Sequence, residues 1–326
     1  FFLPKPMIFM KKFIGVDFGA MVIVTVSPHS SFVKITVPGL VTLASPQFTD
    51  PAPAVSDRFA IDNNPDLFYN QIDSLREVYW YRRTFILDRD IPDIVILKIG
   101  KAMFGTRVYL NGKYIGEHLP CFTPGYFNLG KAVCKGENEL VISVGASRSS
   151  MPKDMPDGFD YEKVRYIPGI FDNVDLILSG TPYIRNVQVA PDIDKKTVRI
   201  QSKILGGANP SSSRVAFLIR ETATGKIAGE LVTGKLEFEA GKENLLDVEI
   251  PVANCTCWSP EKPFLYTLEV STVADSYKTR FGMREFHCDP VSQKAVLNGK
   301  PYFLRGTNIT LYRFFEDPLC DSLPWN

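Results

Sequence analysis

Gly299-Lys300-Pro301-Tyr302-Phe303-Leu304-Arg305-Gly306-Thr307-Asn308 is a short turn followed by an apolar run that ends on Arg, Gly and Asn. An uninterrupted apolar run bounded by turn residues predicts a buried strand over 302–308. Almost everything before it reads as β-structure, and the sequence runs on to Asn326. The stretch therefore reads as the first strand of a new domain, set behind a long block of sandwich.

Upstream of it, apolar alternation predicts strands at 184–190, Thr197–Leu205, 214–221, 245–250, 265–273 and 277–283. Their spacing, with turns such as Gly206-Gly207-Ala208-Asn209-Pro210 between them, suits an immunoglobulin-like sandwich over 183–289. Pro182 marks its start. Before it lies a second sandwich over 33–182, with strands expected at 33–37, Val78–Leu87, 93–101, Thr106–Leu110, 139–144 and 171–178. Asn111-Gly112, followed by Lys113-Tyr114-Ile115-Gly116, is a tight hairpin signal because both turn residues tolerate positive φ. Residues 44–76, rich in Pro, Asp and Asn, read as an irregular excursion with a short helical turn near 66–72. Residues 147–168 form a long polar loop, and loops of that length inside a domain usually carry function. No apolar period of 3.6 persists long enough for a long helix. The expected class is all-β.

Composition excludes several functions. A hydrophobic share of 45% and a charged share of 22% suit a folded globular chain rather than a disordered one. A formal net charge of +1, with no long basic run, supplies no general attraction to nucleic acid or an acidic membrane. The three histidines, His29, His118 and His287, are too scattered for a metal site or a triad, so neither metal nor cofactor is expected. Six cysteines stand at 121, 134, 255, 257, 288 and 320, and Cys255-Thr256-Cys257 is too tight for the CxxC spacing. They read as free thiols, with one disulfide left open.

Residues 1–32 remain unassigned. Lys11-Lys12 ahead of an apolar stretch interrupted by Asp17 shares the basic-then-apolar order of a secretory leader, without a small-x-small cleavage site. A periplasmic or secreted location is one reading of it. The run is too short and interrupted for a membrane span.

Several phrases, in order, resemble glycoside hydrolase family 2, the family of β-galactosidases, β-glucuronidases and β-mannosidases. They begin with Trp80-Tyr81-Arg82-Arg83-Thr84-Phe85, the hairpin from Val108 to Gly116, Pro124-Gly125-Tyr126-Phe127-Asn128-Leu129 and Gly136-Glu137-Asn138. Pro168-Gly169-Ile170-Phe171-Asp172-Asn173, Trp258-Ser259-Pro260, Phe281-Gly282-Met283-Arg284-Glu285 and the 297–308 stretch follow. Each phrase alone occurs widely and also serves as scaffold. The ordered set from 78 to 308 is specific.

The resemblance implies a jelly-roll, galactose-binding-like sandwich at 33–182, the immunoglobulin-like sandwich at 183–289, and the first strand of a truncated (β/α)8 barrel within 290–326. It implies a retaining β-glycosidase acting on a carbohydrate, whose two glutamates stand about 5–5.5 Å apart, late in a barrel of roughly 250 residues. Residues 290–326 are too few to include them, so no catalytic residue is expected here and the chain is expected to be inactive by itself. Glu285 and Glu316 are not candidates for that role. Substrate contacts implied by the resemblance are Arg305 and Asn308 at the end of the first barrel strand. Asp160, Glu162 and Lys163, with Arg165, stand in the loop that relatives lend to the pocket. Thr310 stands where the family often has histidine, which leaves the sugar open. The aromatic run 312–315 either stacks on sugar or packs barrel on sandwich. A standalone carbohydrate-binding module and a structural two-sandwich protein are the competing readings, and a homo-oligomer stays open.

Overall fold

Strict alternation along Val78–Leu87 builds the first sheet. Tyr79, Tyr81 and Leu87 are buried, while Trp80, Arg82, Thr84 and Ile86 stand on the opposite face. Successive strand side chains point to opposite faces, so such a strand has one wet side and one dry side. Gly136–Gly145 runs antiparallel beside it, from Gly136 opposite Leu87 to Gly145 opposite Val78. Thr106–Leu110 flanks that strand and turns through Asn111 and Gly112, at φ 51° and 76°, into Lys113–His118. Val22–Thr25 and Val33–Ile35 complete six strands on the other edge.

The computed structural model describes residues 12–15, 22–25, 33–41, 44–46, 78–146, 150–156 and 168–307. They divide into two bodies, one of Phe13–Leu178 and one of Ser179–Thr307, with Lys12 at the boundary grouped with the second. In the first, a four-stranded sheet orders Lys12–Gly15, Val174–Ser179, Ile94–Ile99 and Gly125–Asn128. Val95, Leu97, Ile99 and Leu176 from that sheet share one core with Tyr79, Tyr81, Val108, Leu110, Leu140 and Ile142 from the six-stranded sheet. Each such side chain contributes about 1.5–3 kcal/mol by leaving water. A small third sheet joins Gly39–Leu40, Gly169–Ile170 and Ala102–Met103.

The second body has a three-stranded sheet of Tyr183–Asp192, Thr197–Leu205 and Glu243–Pro251. Its four-stranded sheet orders Ile227–Val232, Ala216–Glu221, Tyr266–Ser271 and Ser276–Phe281. Ile184, Val198, Ile200 and Ile250 meet Phe217, Ile219, Leu268 and Val270 in its core. Buried Asp275 accepts the Ile184 N–H at 2.8 Å, and the Thr272 hydroxyl donates to the Pro182 carbonyl at 2.8 Å. These two bonds fasten the entry of this body to its last hairpin. A ribbon of Phe286–Asp289, Lys294–Leu297 and Lys300–Pro301 follows, its last turn made by Asn298 and Gly299 at φ 50° and 74°.

Three features differ from the sequence reading. The strand expected over 302–308 does not form among the described residues: pairing stops at Pro301, and Phe303 and Leu304 are 78% and 62% exposed. An apolar run becomes a buried strand only where a neighbouring strand and an apolar layer meet it, and the ribbon supplies neither beyond Pro301. Residues 1–32, unassigned from sequence, supply Lys12–Gly15 and Val22–Thr25 to two sheets of the first body. Ile227–Val232 escaped the sequence reading because Gly229 interrupts it. That glycine is a close-approach position, since a Cβ there would lie 2.6 Å from the Pro251 carbonyl oxygen. The helical turn expected near 66–72 lies outside the described residues.

Candidate functional site

Both ends of the 147–168 loop are built into the first body. At its start, Gly145 bonds Phe104 and Gly105 through backbone groups, at 3.1 and 3.3 Å, and has no room for a side chain against Phe104 and Ser150. Met151 and Met155 then pack on Met103, Phe104, Phe171 and fully buried Cys121, whose thiol donates to the Met151 sulfur at 3.3 Å. At its far end, Pro168 accepts the Val41 N–H at 3.0 Å, and Gly169 is the central residue of the small third sheet. A Cβ at Gly169 would lie 2.5 Å from the Gly39 carbonyl oxygen, so glycine is required by backbone proximity alone. The sequence Pro168-Gly169-Ile170-Phe171 is thus the anchor of the loop.

A second frame presents the chain at Arg305. Three separate sequence phrases meet there. Phe281 stacks on Tyr266 with ring centres 5.6 Å apart, and Met283 is fully buried. Between them, Gly282 leaves space for Trp258, whose Cβ would be 2.7 Å from any side chain at 282. The Arg284 guanidinium covers the Trp258 ring at 4.8 Å, a cation–π contact. Asn298 then closes the corner: its side-chain amide donates to the Trp258 carbonyl at 2.9 Å and accepts from the Glu285 N–H at 3.0 Å. The Tyr302 N–H donates to the Ala295 carbonyl at 2.8 Å, so the chain is held until three residues before Arg305. Asp289 accepts the Val291 and Ser292 N–H groups and the Ser292 hydroxyl. These bonds, the hydroxyl first, keep its carboxyl below the ordinary range.

Of the expected substrate contacts, Arg305 is described and exposed on an irregular stretch. Asn308, Asp160, Glu162 and Lys163 lie outside the described residues, as do Arg165 and Thr310. Among the described residues no group of three or more His, Cys, Asp or Glu could hold a metal ion. Glu285 has His287 beside it at 3.5 Å, at the ribbon's entry. A small cavity in the first body is lined by Val37, Tyr81, Arg82, Arg83, Leu140, Ile142 and Ile170, and burial first and Tyr79 second push the Tyr81 phenol upward.

The sequence reading missed Asn298 as an orienting residue. Its signal was present in Asn298-Gly299, the same turn chemistry that was recognised in Asn111-Gly112. The parallel extends to the side chains. Buried Asn138 accepts from Asn111 at 3.0 Å and from the Cys134 N–H at 2.8 Å, and donates to the carbonyls of Cys134 and Gly136.

Comparison with known proteins gives these corners a context. The sequence model of the family described as Glycosyl hydrolases family 2 matches residues 182–284. A β-galactosidase of Thermoanaerobacter pseudethanolicus is 28% identical over 251 residues, covering 74% of this chain and 32% of its own length. A β-glucuronidase of Sus scrofa is 25% identical over 267 residues, covering 70% of this chain and 38% of its own length. The chain thus spans about a third of those relatives. The crystal structure of a Bacteroides uniformis β-glucuronidase superposes with a TM-score of 0.68 at 20% identity, over 91% of this chain and 35% of that one. A putative β-galactosidase from Bacteroides fragilis gives 0.69 at 17% identity, over 88% and 43%. The family model matched over 182–284 and the relatives aligned through both bodies support the resemblance to glycoside hydrolase family 2, and the solved structures share the all-β fold.

Proposed function

We propose that this chain is the N-terminal β-sandwich portion of a retaining β-glycosidase that hydrolyses O-glycosyl bonds of a carbohydrate. On this reading, 33–182 is a jelly-roll sugar-binding-like domain and 183–289 an immunoglobulin-like sandwich. Residues 290–326 open a (β/α)8 catalytic barrel. The observation that carries it is the alignment of β-galactosidases and β-glucuronidases across 70–76% of the chain, through both bodies. Seven principal strands in two sheets of three and four, around one core, support the immunoglobulin-like assignment.

The chemistry needs a nucleophile and an acid/base carboxylate about 5–5.5 Å apart, at the strand ends of a barrel of about 250 residues. Residues up to 326 supply the frame and not that pair. The two anchored segments carry the contacts: Arg305 and Asn308 after the ribbon, and Asp160, Glu162 and Lys163 in the 147–168 loop. Charged groups there orient sugar hydroxyls by charge-assisted hydrogen bonds. The standalone binding module is the lesser reading, because the relatives matched across both bodies are enzymes by name.

The test is hydrolysis of p-nitrophenyl β-D-galactoside and β-D-glucuronide. The chain by itself is expected to give no turnover above buffer. The same reading frame, continued past codon 326 for about 250 residues, is expected to hydrolyse one of them. Turnover by residues 1–326 alone, or a continuation without any barrel sequence, overturns the proposal.

A further inference from the structure

The outer face of the six-stranded sheet carries a row of aromatic rings. Tyr79 and Tyr81, and Val108 and Leu110, lie in the core of the first body. Alternation along their strands therefore leaves Trp80 and Tyr109 on the opposite face. Tyr114 stands across the hairpin from Tyr109. The ring centres of Trp80 and Tyr109 are 5.9 Å apart, and those of Tyr109 and Tyr114 5.4 Å. Tyr114 is 55% exposed, and the other two rings are half-buried. The hairpin register slips between Val108 and Tyr109, and Ile115 packs towards the core as the extra residue. A bulge of this kind re-aims its neighbours. Here it brings Tyr114 and Glu117 to the same outer face.

Two ion pairs flank the rings. Arg107 Nε meets Glu117 at 3.0 Å, and Arg82 Nε meets Glu139 at 3.1 Å. In the sheet register Arg107 lies in one row with Trp80, across Ser143, and Arg82 in one row with Tyr109, across Val141. All four charged side chains keep 38–44% exposure, so guanidinium donors and carboxylate acceptors both reach water. The centre of a dry protein interface is depleted of charge, which disfavours a protein partner on this face. The four charges also cancel, so the face holds no net attraction for a polyanion. The ligand that fits has an apolar surface for the rings and groups that both donate and accept. A pyranose has both: its C–H faces stack on aromatic rings, and its hydroxyls donate to carboxylates and accept from guanidinium. The row spans four neighbouring strands, which suits a chain of sugars rather than one.

We propose that the Trp80, Tyr109 and Tyr114 face binds a neutral, equatorially β-1,4-linked oligosaccharide. That linkage makes a flat ribbon whose apolar faces are open to stacking. The three rings supply the floor, and the Arg107–Glu117 and Arg82–Glu139 pairs hold the hydroxyls along its two sides. The rings are rigid, so little conformational freedom is lost on binding. The proposal goes beyond the glycosidase reading and does not depend on it, because binding is measured on this chain and hydrolysis on its continuation.

The experiment is isothermal titration calorimetry of the intact chain with cellohexaose and with mannohexaose. At least one is expected to bind with a Kd of about 1 mM or below. Trp80→Ala and Tyr114→Ala, each checked for an unchanged far-UV spectrum, should weaken binding by about tenfold. Tyr114→Phe keeps the ring and should stay within about twofold of wild type. Tyr126→Ala, which removes a 57% exposed ring from the four-stranded sheet, should leave binding unchanged. Absence of binding by both hexasaccharides overturns the proposal. So does binding that survives Tyr114→Ala or is lost with Tyr126→Ala. A dimer in sedimentation velocity that Tyr114→Ala dissolves would give the face to a second copy of the chain, and overturns it too.

Discussion

Asp247 shows how a single side chain sets a pH dependence on an open surface. It stands opposite Gln201 in the sheet of the second body, and receives the Arg199 Nε at 3.0 Å and the Gln201 amide at 2.9 Å. These bonds, Arg199 first, pull its pKa down from 3.8 to about 2. Since the folded value is the lower one, the native state favours the carboxylate. Its stabilisation is complete above the unfolded pKa and disappears as pH falls through the folded one. Wild type is therefore expected to melt above Asp247→Asn at pH 6. The gap should close between pH about 4 and about 2, bounded by those two pKa values. Thermal melts across that range check it, and a gap independent of pH would refute the assignment. The site is exposed, so the effect is small and falls with added salt.

At the level of elements, glycines decide where strands may touch. Gly169 joins the Gly39–Leu40 and Ala102–Met103 strands, and a methyl group there meets backbone atoms at 2.5 and 2.8 Å. Backbone cannot rotate away as a side chain can, so Gly169→Ala must move a strand. The expected cost is about 2 kcal/mol in urea unfolding, within the range for overpacking a close contact. Amide exchange at Val41 and Phe171, whose N–H groups bond Pro168 and Lys101, should accelerate in the same variant. Unchanged exchange there would separate the 147–168 loop from its supposed anchor. Gly112 makes the contrast: nothing stands within 4 Å of a Cβ, and only its φ of 76° selects glycine.

At the level of the whole molecule, the second body ends its ordered pairing at Pro301 and then presents Phe303 and Leu304 to water. Adjacent exposed apolar side chains favour association. The chain is expected to self-associate at high concentration in sedimentation velocity, and Phe303→Ser with Leu304→Ser to shift it towards monomer by several-fold in apparent dissociation constant. A strictly monomeric wild type over the same range would remove this expectation. If the continued reading frame supplies a barrel, those two residues should instead become buried.

Local patterns were enough to determine the all-β class, the Val78–Leu87, Thr106–Leu110 and Thr197–Leu205 strands and the Asn111-Gly112 turn, because period-two alternation and positive-φ residues act through near neighbours. The ordered phrases also carried the resemblance to the family whose model matches 182–284. Tertiary structure alone decided that Lys12–Gly15 and Val22–Thr25 enter the sheets, and that 302–307 does not continue as a strand. It alone brought Trp258, Gly282, Arg284 and Asn298 to one corner ahead of Arg305. Such outcomes depend on which distant strand or side chain arrives to satisfy a backbone group or fill a space, and no local period encodes the arrival of a partner 40 residues away in sequence.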